Sequence, residues 1–243
     1  MHHIVLDRWS RGSSAAHRLD PRAKIVPLLA LLAALATARH GLPEFSAAVF
    51  VLLCAALLAA RIPLFPALAR AALVLPFAVV FAVVCWLAGD PARGLSLLLK
   101  SYLSALAVLT VVATTPLPAL LRGIESLRVP LFLLTVAQFL YRYLFVISEE
   151  AQHMRKAAAA RGTPTRPLAS GGARFRAAAG ALAVLFARSY GRAQNVHRAM
   201  LARGFTGRLH PLFDLHFRPA DAAFAALASL APLAARLALE KVP

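Results

Sequence analysis

The sequence is short of acidic residues and of cysteine. Among 243 residues there are 10 aspartates and glutamates against 27 lysines and arginines, so the formal net charge is +17. The carboxylates are scattered along the chain, which argues against an acidic catalytic cluster. Cys54 and Cys85 both lie inside apolar runs, a placement typical of small buried side chains. We therefore expect neither a disulfide framework nor a cysteine metal pair.

Motifs that would signal an enzyme are missing as well. The chain contains no GxxxxGKS or GxxxxGKT loop, so it is not expected to bind ATP through that device. It also lacks HExxH and GxSxG. We therefore expect a protein without catalytic activity of its own. No apolar region precedes Ile25, so no cleavable signal peptide is predicted, and membrane insertion would depend on the spans themselves.

Apolar residues, by contrast, are in excess. They make up 60% of the chain, and its mean hydropathy is +0.69, whereas soluble domains are usually nearer half apolar. They form runs separated by proline, glycine and charged residues, which indicates an all-α membrane protein. A net charge of +17 would suggest a nucleic-acid partner for a soluble protein. Here the positive residues are sorted by loop, so no nucleic acid is expected.

About five apolar stretches are candidates for membrane spans: residues 25–38, 45–60, 71–88, 95–115 and 219–239. The first is shorter than the roughly 20 residues that cross the hydrocarbon. A helix that begins at Asp20, the cap, with Pro21 in its first turn would be longer. It would reach across if Arg22 and Lys24 snorkel towards the headgroups.

The stretch 219–239 is the weakest candidate, because Asp221, Pro232 and Arg236 interrupt it. It is either a fifth crossing or a surface helix, and we favour a crossing. The first four stretches hold almost no ionisable residue apart from Lys100 near an end. A secondary transporter normally keeps charged or polar groups at mid-membrane. The scarcity of such groups therefore favours a scaffold protein over a secondary transporter.

Residues 116–218 have a different character. A short amphipathic segment is followed by a long helix from about 130 to 161, a linker rich in Gly, Pro and Ser, and a second long helix from about 174 to 203. Each long helix would measure roughly 45 Å at 1.5 Å per residue, too long and too charged for a simple span. We interpret the pair as a coupling domain that lies partly in the membrane surface and partly in the cytoplasm.

The chain therefore divides into four parts. We predict a cytoplasmic amino-terminal segment (1–24), an amino-terminal transmembrane bundle (25–115), the coupling domain (116–218) and a carboxyl-terminal transmembrane helix (219–243). With the amino terminus inside, the cytoplasmic segments 1–24, 61–70 and 116–218 hold 22 of the 27 lysines and arginines. The positive-inside rule then predicts a cytoplasmic amino terminus and an external carboxyl terminus.

One pattern occurs twice in the coupling domain. At an offset of 42 residues, five pairs are identical: Gln152/Gln194, Ala157/Ala199, Ala160/Ala202, Arg161/Arg203 and Gly162/Gly204. Each copy is typical of a helix end, where a glycine of positive φ stops the helix and the preceding arginine extends from its last turn. Two such ends indicate two docking points. The alternative is that the repeat arose by chance in a chain rich in alanine and arginine. The identical pairs upstream of Ala-Arg-Gly weaken that alternative.

Three segments carry a resemblance to a known family: DRWSRGSSAAHRLDPRAK at 7–24, YRYLFVISEEAQHMRKAAAARG at 141–162 and RAQNVHRAMLARGFTGRL at 192–209. They are similar to the transmembrane T component (EcfT family, CbiQ-like) of energy-coupling factor transporters, a branch of ATP-binding cassette importers. Two Ala-Arg-Gly helix ends are that family's hallmark. The residues around them are most similar to those of the cobalt and nickel subgroup.

The resemblance implies a division of labour. Two cytoplasmic ATPase subunits would bind ATP and magnesium, so that this chain needs no cofactor. Each ATPase would receive one helix end, and a membrane-embedded, substrate-binding S component would pack on the apolar surface of the helices. ATP-driven motion would then import cobalt or nickel through the bacterial plasma membrane. The implied ATPase-binding residues are Ala160, Arg161, Gly162, Ala202, Arg203 and Gly204.

The residues alone leave other functions open. These are a T component that serves a vitamin-type S component, a stand-alone secondary carrier or channel, a polytopic membrane enzyme, and an RNA- or lipid-binding membrane anchor. A metal site formed by His2 and His3 with His17 is conceivable, because imidazole is a common ligand. We favour the simpler interpretation of a basic tail that binds no metal.

Overall fold

The computed structural model describes residues 9–10, 12, 14–38, 42–127, 129–162, 171–207 and 217–240. Within these ranges the chain is helical apart from turns and contains no strand, which confirms the predicted all-α class. In chain order the helices are α1 (Ala15–Arg18), α2 (Pro21–Thr37), α3 (Leu42–Ala59), α4 (Leu64–Ala71), a 3₁₀ turn (Ala72–Val74), α5 (Leu75–Leu87), α6 (Pro91–Thr114), α7 (Leu117–Glu125), α8 (Leu131–Ala160), α9 (Gly171–Ala202) and α10 (Pro219–Glu240).

The helices form two compact units. The first unit contains the described residues of Met1–Arg128 and Phe213–Pro243, and the second those of Val129–Leu212. Helices α1 to α7 and α10 therefore make up the first unit, and the long helices α8 and α9 make up the second.

Local sequence signals set several helix boundaries. Asp20 caps α2 by accepting a hydrogen bond from the backbone N–H of Arg22 at 2.9 Å, and Pro21 occupies the first turn, as predicted. Asp90 caps α6 in the same way through the N–H of Arg93 at 3.0 Å. Gly89 ends α5 with a φ of +86°, a conformation that favours glycine. One short turn thus closes one helix and starts the next.

The third apolar stretch is longer than predicted. A helical path runs from Leu64 through the 3₁₀ turn to Leu87, so it begins before the predicted start at residue 71. Arg70 does not interrupt it, because its guanidinium carbon lies 3.9 Å from the centre of the Trp9 ring. Stacking on an aromatic face is favourable for the cation, although the buried Nη1 of Arg70 has no hydrogen-bond partner among the described residues.

Among the described residues, three helices are long and apolar enough to cross a membrane: Leu64–Leu87, Pro91–Thr114 and Leu131–Ala160. The last of these is α8, which the sequence placed in the coupling domain as too charged for a simple span. Its first half is apolar apart from Arg142, and its other charged residues lie in its second half, so a window of sufficient hydropathy exists. The helix Pro43–Ala59 is apolar but shorter.

The core of the first unit is formed by α2, α3 and α6. Its largest fully buried side chains are Phe45, Leu35, Leu57 and Leu106. Between α5 and α6 the helices approach so closely that a Cβ on Gly94 would lie 2.8 Å from the carbonyl oxygen of Ala82. Small residues at such contacts permit the backbone approach that holds membrane helices together.

Two contacts fix the direction of α10 relative to α2. At their starts, the N–H of Asp20 donates to Asp221 Oδ1 at 3.3 Å. At their ends, Arg236 Nη1 donates to Thr37 Oγ1. The two helices therefore run parallel along most of their length. Asp221 and Arg236, which looked like interruptions in the sequence, are the groups that attach α10 to α2.

Lys24 and Lys100 show that α6 runs antiparallel to α2. Lys24, near the start of α2, donates to the Thr114 carbonyl at 3.0 Å and to Thr115 Oγ1 at 2.9 Å. Lys100 donates to the carbonyls of Ala36 at 3.2 Å and Ala38 at 2.7 Å, at the end of α2. A cation is favoured there by the negative end of the helix dipole. The start of α2, the end of α6 and the start of α10 consequently lie on one side of the first unit.

The predicted snorkelling of Lys24 is wrong. The residue is only 5% exposed, and its ammonium group is bonded inside the first unit to α6. It also interacts with the carboxylates of Asp20 and Asp221. A buried ammonium is stable only when paired and hydrogen-bonded, and these groups provide both conditions. The ammonium group of Lys24 therefore stabilises the packing of α2 against α6, whereas the sequence had suggested that it would contact lipid headgroups.

Helix α7 is attached to the same side of the first unit. A Cβ on Gly123 would lie 2.8 Å from Ile25 Cδ1 and 3.1 Å from Pro21 Cβ, so the glycine lets α7 lie against the start of α2. Leu120 and Leu121 are buried beside it. Helix α7 is therefore packed on the start of α2 within the first unit.

Candidate functional site

The two Ala-Arg-Gly sequences form the carboxyl-terminal ends of α8 and α9. Gly162 has a φ of +74° and Gly204 a φ of +78°, which confirms the predicted glycine-terminated helix ends. In each, the glycine N–H returns to a carbonyl of the last turn: Gly162 to Ala159 at 3.1 Å and Gly204 to Leu201 at 3.0 Å. The local geometry of the two ends therefore matches as closely as their sequences.

All ten residues that repeat at the offset of 42 are exposed in the second unit. A Cβ built on Gly162 or Gly204 would meet nothing within 4 Å. Packing inside the chain therefore does not explain why the pattern is repeated, since no buried contact depends on it. Positive φ explains the glycines, and the exposed arginines have their side chains available to a partner.

The two ends differ after the glycine. The N–H of Phe205 donates to the Met200 carbonyl at 3.0 Å, which completes a second turn-closing bond, and Phe205 is half-buried. The corresponding residues of the first copy, Thr163 and Pro164, lie outside the described residues.

Between α8 and α9 lies a groove of about 490 Å³. Apolar side chains line most of it, and Arg188 Nη1 meets Glu150 Oε1 at 2.6 Å on its wall. At a rise of about 1.5 Å per residue, about 16 Å of helix separates Glu150 from Arg161, and about 22 Å separates Arg188 from Arg203. The contact between the helices is therefore well removed from both helix ends.

Sequence reasoning did not identify Glu150 and Arg188. The two residues are 38 positions apart and belong to different helices, so no local spacing rule joins them. The sequence offered a signal for Arg188 alone, as a charged residue within a largely apolar stretch of a long helix, whereas Glu150 lies in the polar part of α8.

Large apolar side chains are exposed on both long helices of the second unit. On α8 they include Phe132, Leu133 and Leu140, and on α9 they include Phe186 and Leu182. Exposed apolar patches on this scale contact lipid or another protein.

The described residues contain no group of three His, Cys, Asp or Glu side chains that could hold a metal ion. Both ring nitrogens of His17 have protein partners: Nδ1 lies 2.7 Å from Ser14 Oγ and Nε2 lies 2.9 Å from the Trp9 carbonyl oxygen. His17 therefore stabilises the fold of the amino-terminal segment. His2 and His3 lie outside the described residues.

Two comparisons with known proteins indicate the same family. The family model for CbiQ, described as "Cobalt transport protein", matches residues 12–212. The chain is also similar to "Cobalt transport protein CbiQ" of Rhodobacter capsulatus, with 31% identity over 123 residues. That alignment covers 50% of this chain and 48% of the relative, so the chain spans about half the length of the curated relative it matches.

Proposed function

Because the chain belongs to the CbiQ family of cobalt transport proteins, we propose that it is the membrane T component of an energy-coupling factor importer of cobalt or nickel. In this role it carries out no catalysis. Two cytoplasmic ATPase subunits bind ATP and magnesium, and this chain transmits their motion to a membrane S component that binds the metal substrate.

The observation that carries the proposal is the pair of matching, exposed helix ends. Each presents an arginine, Arg161 or Arg203, beyond the last helical turn, followed by a glycine that turns the chain away. An arginine that enters a groove on a partner and contacts a carboxylate there can determine whether the two proteins bind. Truncating one member of a buried charge pair costs about 2–5 kcal/mol. Two helix ends that share the Ala-Arg-Gly sequence fit two ATPase subunits.

The exposed apolar residues of α8 and α9 support the other contact, with the S component. They lie on the same helices that carry the Ala-Arg-Gly ends. A movement of either end is therefore transmitted through rigid helix to the surface on which the S component packs.

Charge and helix direction together support a bacterial plasma-membrane protein with a cytoplasmic amino terminus. The start of α2, the end of α6 and the start of α10 share one side of the first unit. With α8 and α9 placed at the inner surface and not across the membrane, the segments next to these ends are the basic ones, because 1–24, 61–70 and 116–218 hold 22 of the 27 lysines and arginines. The parallel arrangement of α2 and α10 also favours a membrane crossing by α10.

The test is co-purification of the tagged chain from a mild detergent, followed by identification of its partners. We expect two ATPase copies and a small membrane protein. The variant with Arg161→Glu and Arg203→Glu should insert into the membrane normally and lose both the ATPases and metal uptake.

Arg155→Glu with Arg176→Glu is the matched control, because these arginines are exposed on α8 and α9 away from the ends. It should retain both ATPases. Normal co-purification with the double variant at 161 and 203 would contradict the proposal. Metal uptake by the chain without any ATPase would instead identify a stand-alone carrier.

A further inference from the structure

The ion pair between Glu150 and Arg188 lies away from the helix ends described above, and it joins α8 to α9. We propose that Glu150 and Arg188 are positioning residues. Their ion pair sets the angle between α8 and α9, and with it the separation of the two Ala-Arg-Gly ends. The consequence for transport rests on the proposed function.

Packing leaves the angle between the two helices weakly determined. Within the described parts of α8 and α9, Leu134 is the only residue whose side chain is buried. Helices of 30 and 32 residues are normally aligned by interdigitated rows of side chains. Here much of the space between them is the open groove, so a directional contact across it has a larger share in fixing the geometry.

The ion pair has the geometry for that role. The distance of 2.6 Å between Arg188 Nη1 and Glu150 Oε1 is that of a strong charge-assisted hydrogen bond. The side chain of Glu150 is 28% exposed and that of Arg188 is 62% exposed, so the contact lies at the edge of the groove. Solvent screening weakens an exposed pair, but the groove gives Glu150 a partly apolar surrounding.

The position of the pair along the helices amplifies its effect. The helix ends are about 16 Å and about 22 Å from the contact, so a change of about 10° in the angle moves them by about 3 Å and 4 Å. Displacements of that size would misplace an arginine relative to a partner groove. Coupling would then fail although each end remains intact.

Charge reversal is the appropriate perturbation. Arg192 follows Arg188 by one turn and lines the same groove as Glu150, so simple removal of Arg188 leaves another cation on that wall. Glu150→Arg and Arg188→Glu each convert attraction into repulsion. The double variant with both changes restores an oppositely charged pair. Glu149→Arg is the matched control, because Glu149 is the adjacent exposed carboxylate and does not line the groove.

The first measurement concerns the full-length chain alone in lipid nanodiscs. Spin labels at Lys156→Cys and Arg198→Cys, in a background with Cys54→Ser and Cys85→Ser, report the distance between α8 and α9 by electron double resonance. We expect the single reversals to shift or broaden the distance distribution. The double variant should restore it, and Glu149→Arg should leave it unchanged. A distribution that is the same in all variants, or that the double variant fails to restore, overturns the proposal.

The second measurement is cobalt uptake by cells that express the whole complex. An exposed ion pair contributes up to about a factor of five to an equilibrium and its reversal adds a repulsion of similar size, so each single reversal should lower uptake about threefold to tenfold. Both ATPases should still co-purify, and the double variant should regain uptake. If the single reversals change the distance between the spin labels but leave cobalt uptake unchanged, the link between the ion pair and transport is overturned. Failure of the wild type to bind ATPases would instead refute the proposed function, and the distance measurement would still decide the ion pair.

Discussion

Replacing Asp221 by alanine is expected to loosen the junction between the starts of α2 and α10. Asp221 is 4% exposed, and its two carboxylate oxygens serve different helices. Oδ2 accepts the backbone N–H of Arg218 at 2.9 Å, within the first turn of α10. Oδ1 accepts the N–H of Asp20, the cap of α2, at 3.3 Å. One side chain therefore satisfies a donor at each of two helix starts.

Charges of both signs meet at this junction. Asp20 and Asp221 are both buried and bring two negative charges. Lys24 brings one positive charge, and the positive ends of α2 and α10 contribute about half a charge each. Asp221→Ala removes one carboxylate and leaves one buried and one partly buried N–H group without its acceptor.

The size of the effect follows from those two groups. A buried donor left unsatisfied costs about 1–3 kcal/mol, so Asp221→Ala should cost about 2–5 kcal/mol. For a chain of this length 1 kcal/mol corresponds to roughly 2–4 °C, so the unfolding midpoint should fall by about 4–20 °C. Asp221→Asn keeps one acceptor oxygen and should give a smaller fall.

The assay is thermal unfolding of the purified chain in detergent, followed by tryptophan fluorescence. Asp90→Ala is the control, because Asp90 also caps a helix but its side chain is 51% exposed. Loss of an ordinary cap costs about 1 kcal/mol, or roughly 2–4 °C. Equal falls for Asp221→Ala and Asp90→Ala would refute the account of Asp221 as a shared, buried acceptor.

Two further predictions concern helix ends. Arg61 follows α3 with a φ of +56°, a strained value for a residue with a long side chain. Arg61→Gly should therefore raise the unfolding midpoint by roughly 2–4 °C. A lower midpoint for this variant would contradict the prediction. Arg161→Glu and Arg203→Glu, made singly, should reduce ATPase co-purification unequally, because Thr163 and Pro164 follow the first end and Phe205 and Thr206 follow the second. Identical losses would count against that difference.

Features that depend on neighbours in the sequence were predicted well. The cap at Asp20, the glycine-terminated ends at Gly162 and Gly204, and the two long helices were all found close to their predicted positions. Each is governed by backbone bonds within one turn, and the residues that make those bonds are adjacent in the chain. The assignment of the helix ends to ATPase subunits stays a prediction.

Features that depend on distant contacts were not predicted. Lys24 was expected to reach the headgroups, and Asp221 and Arg236 appeared to interrupt a span. In the structure they are the groups that bind α2, α6 and α10 to one another.

The sequence by itself determined the class of the protein, the two long helices and their duplicated ends, because hydropathy and capping act over a few residues. The tertiary structure alone decided which buried charges are paired and where the long helices meet. Those pairings join residues up to 201 positions apart. A buried charge is stable only beside its partner, and the identity of that partner depends on how the helices pack.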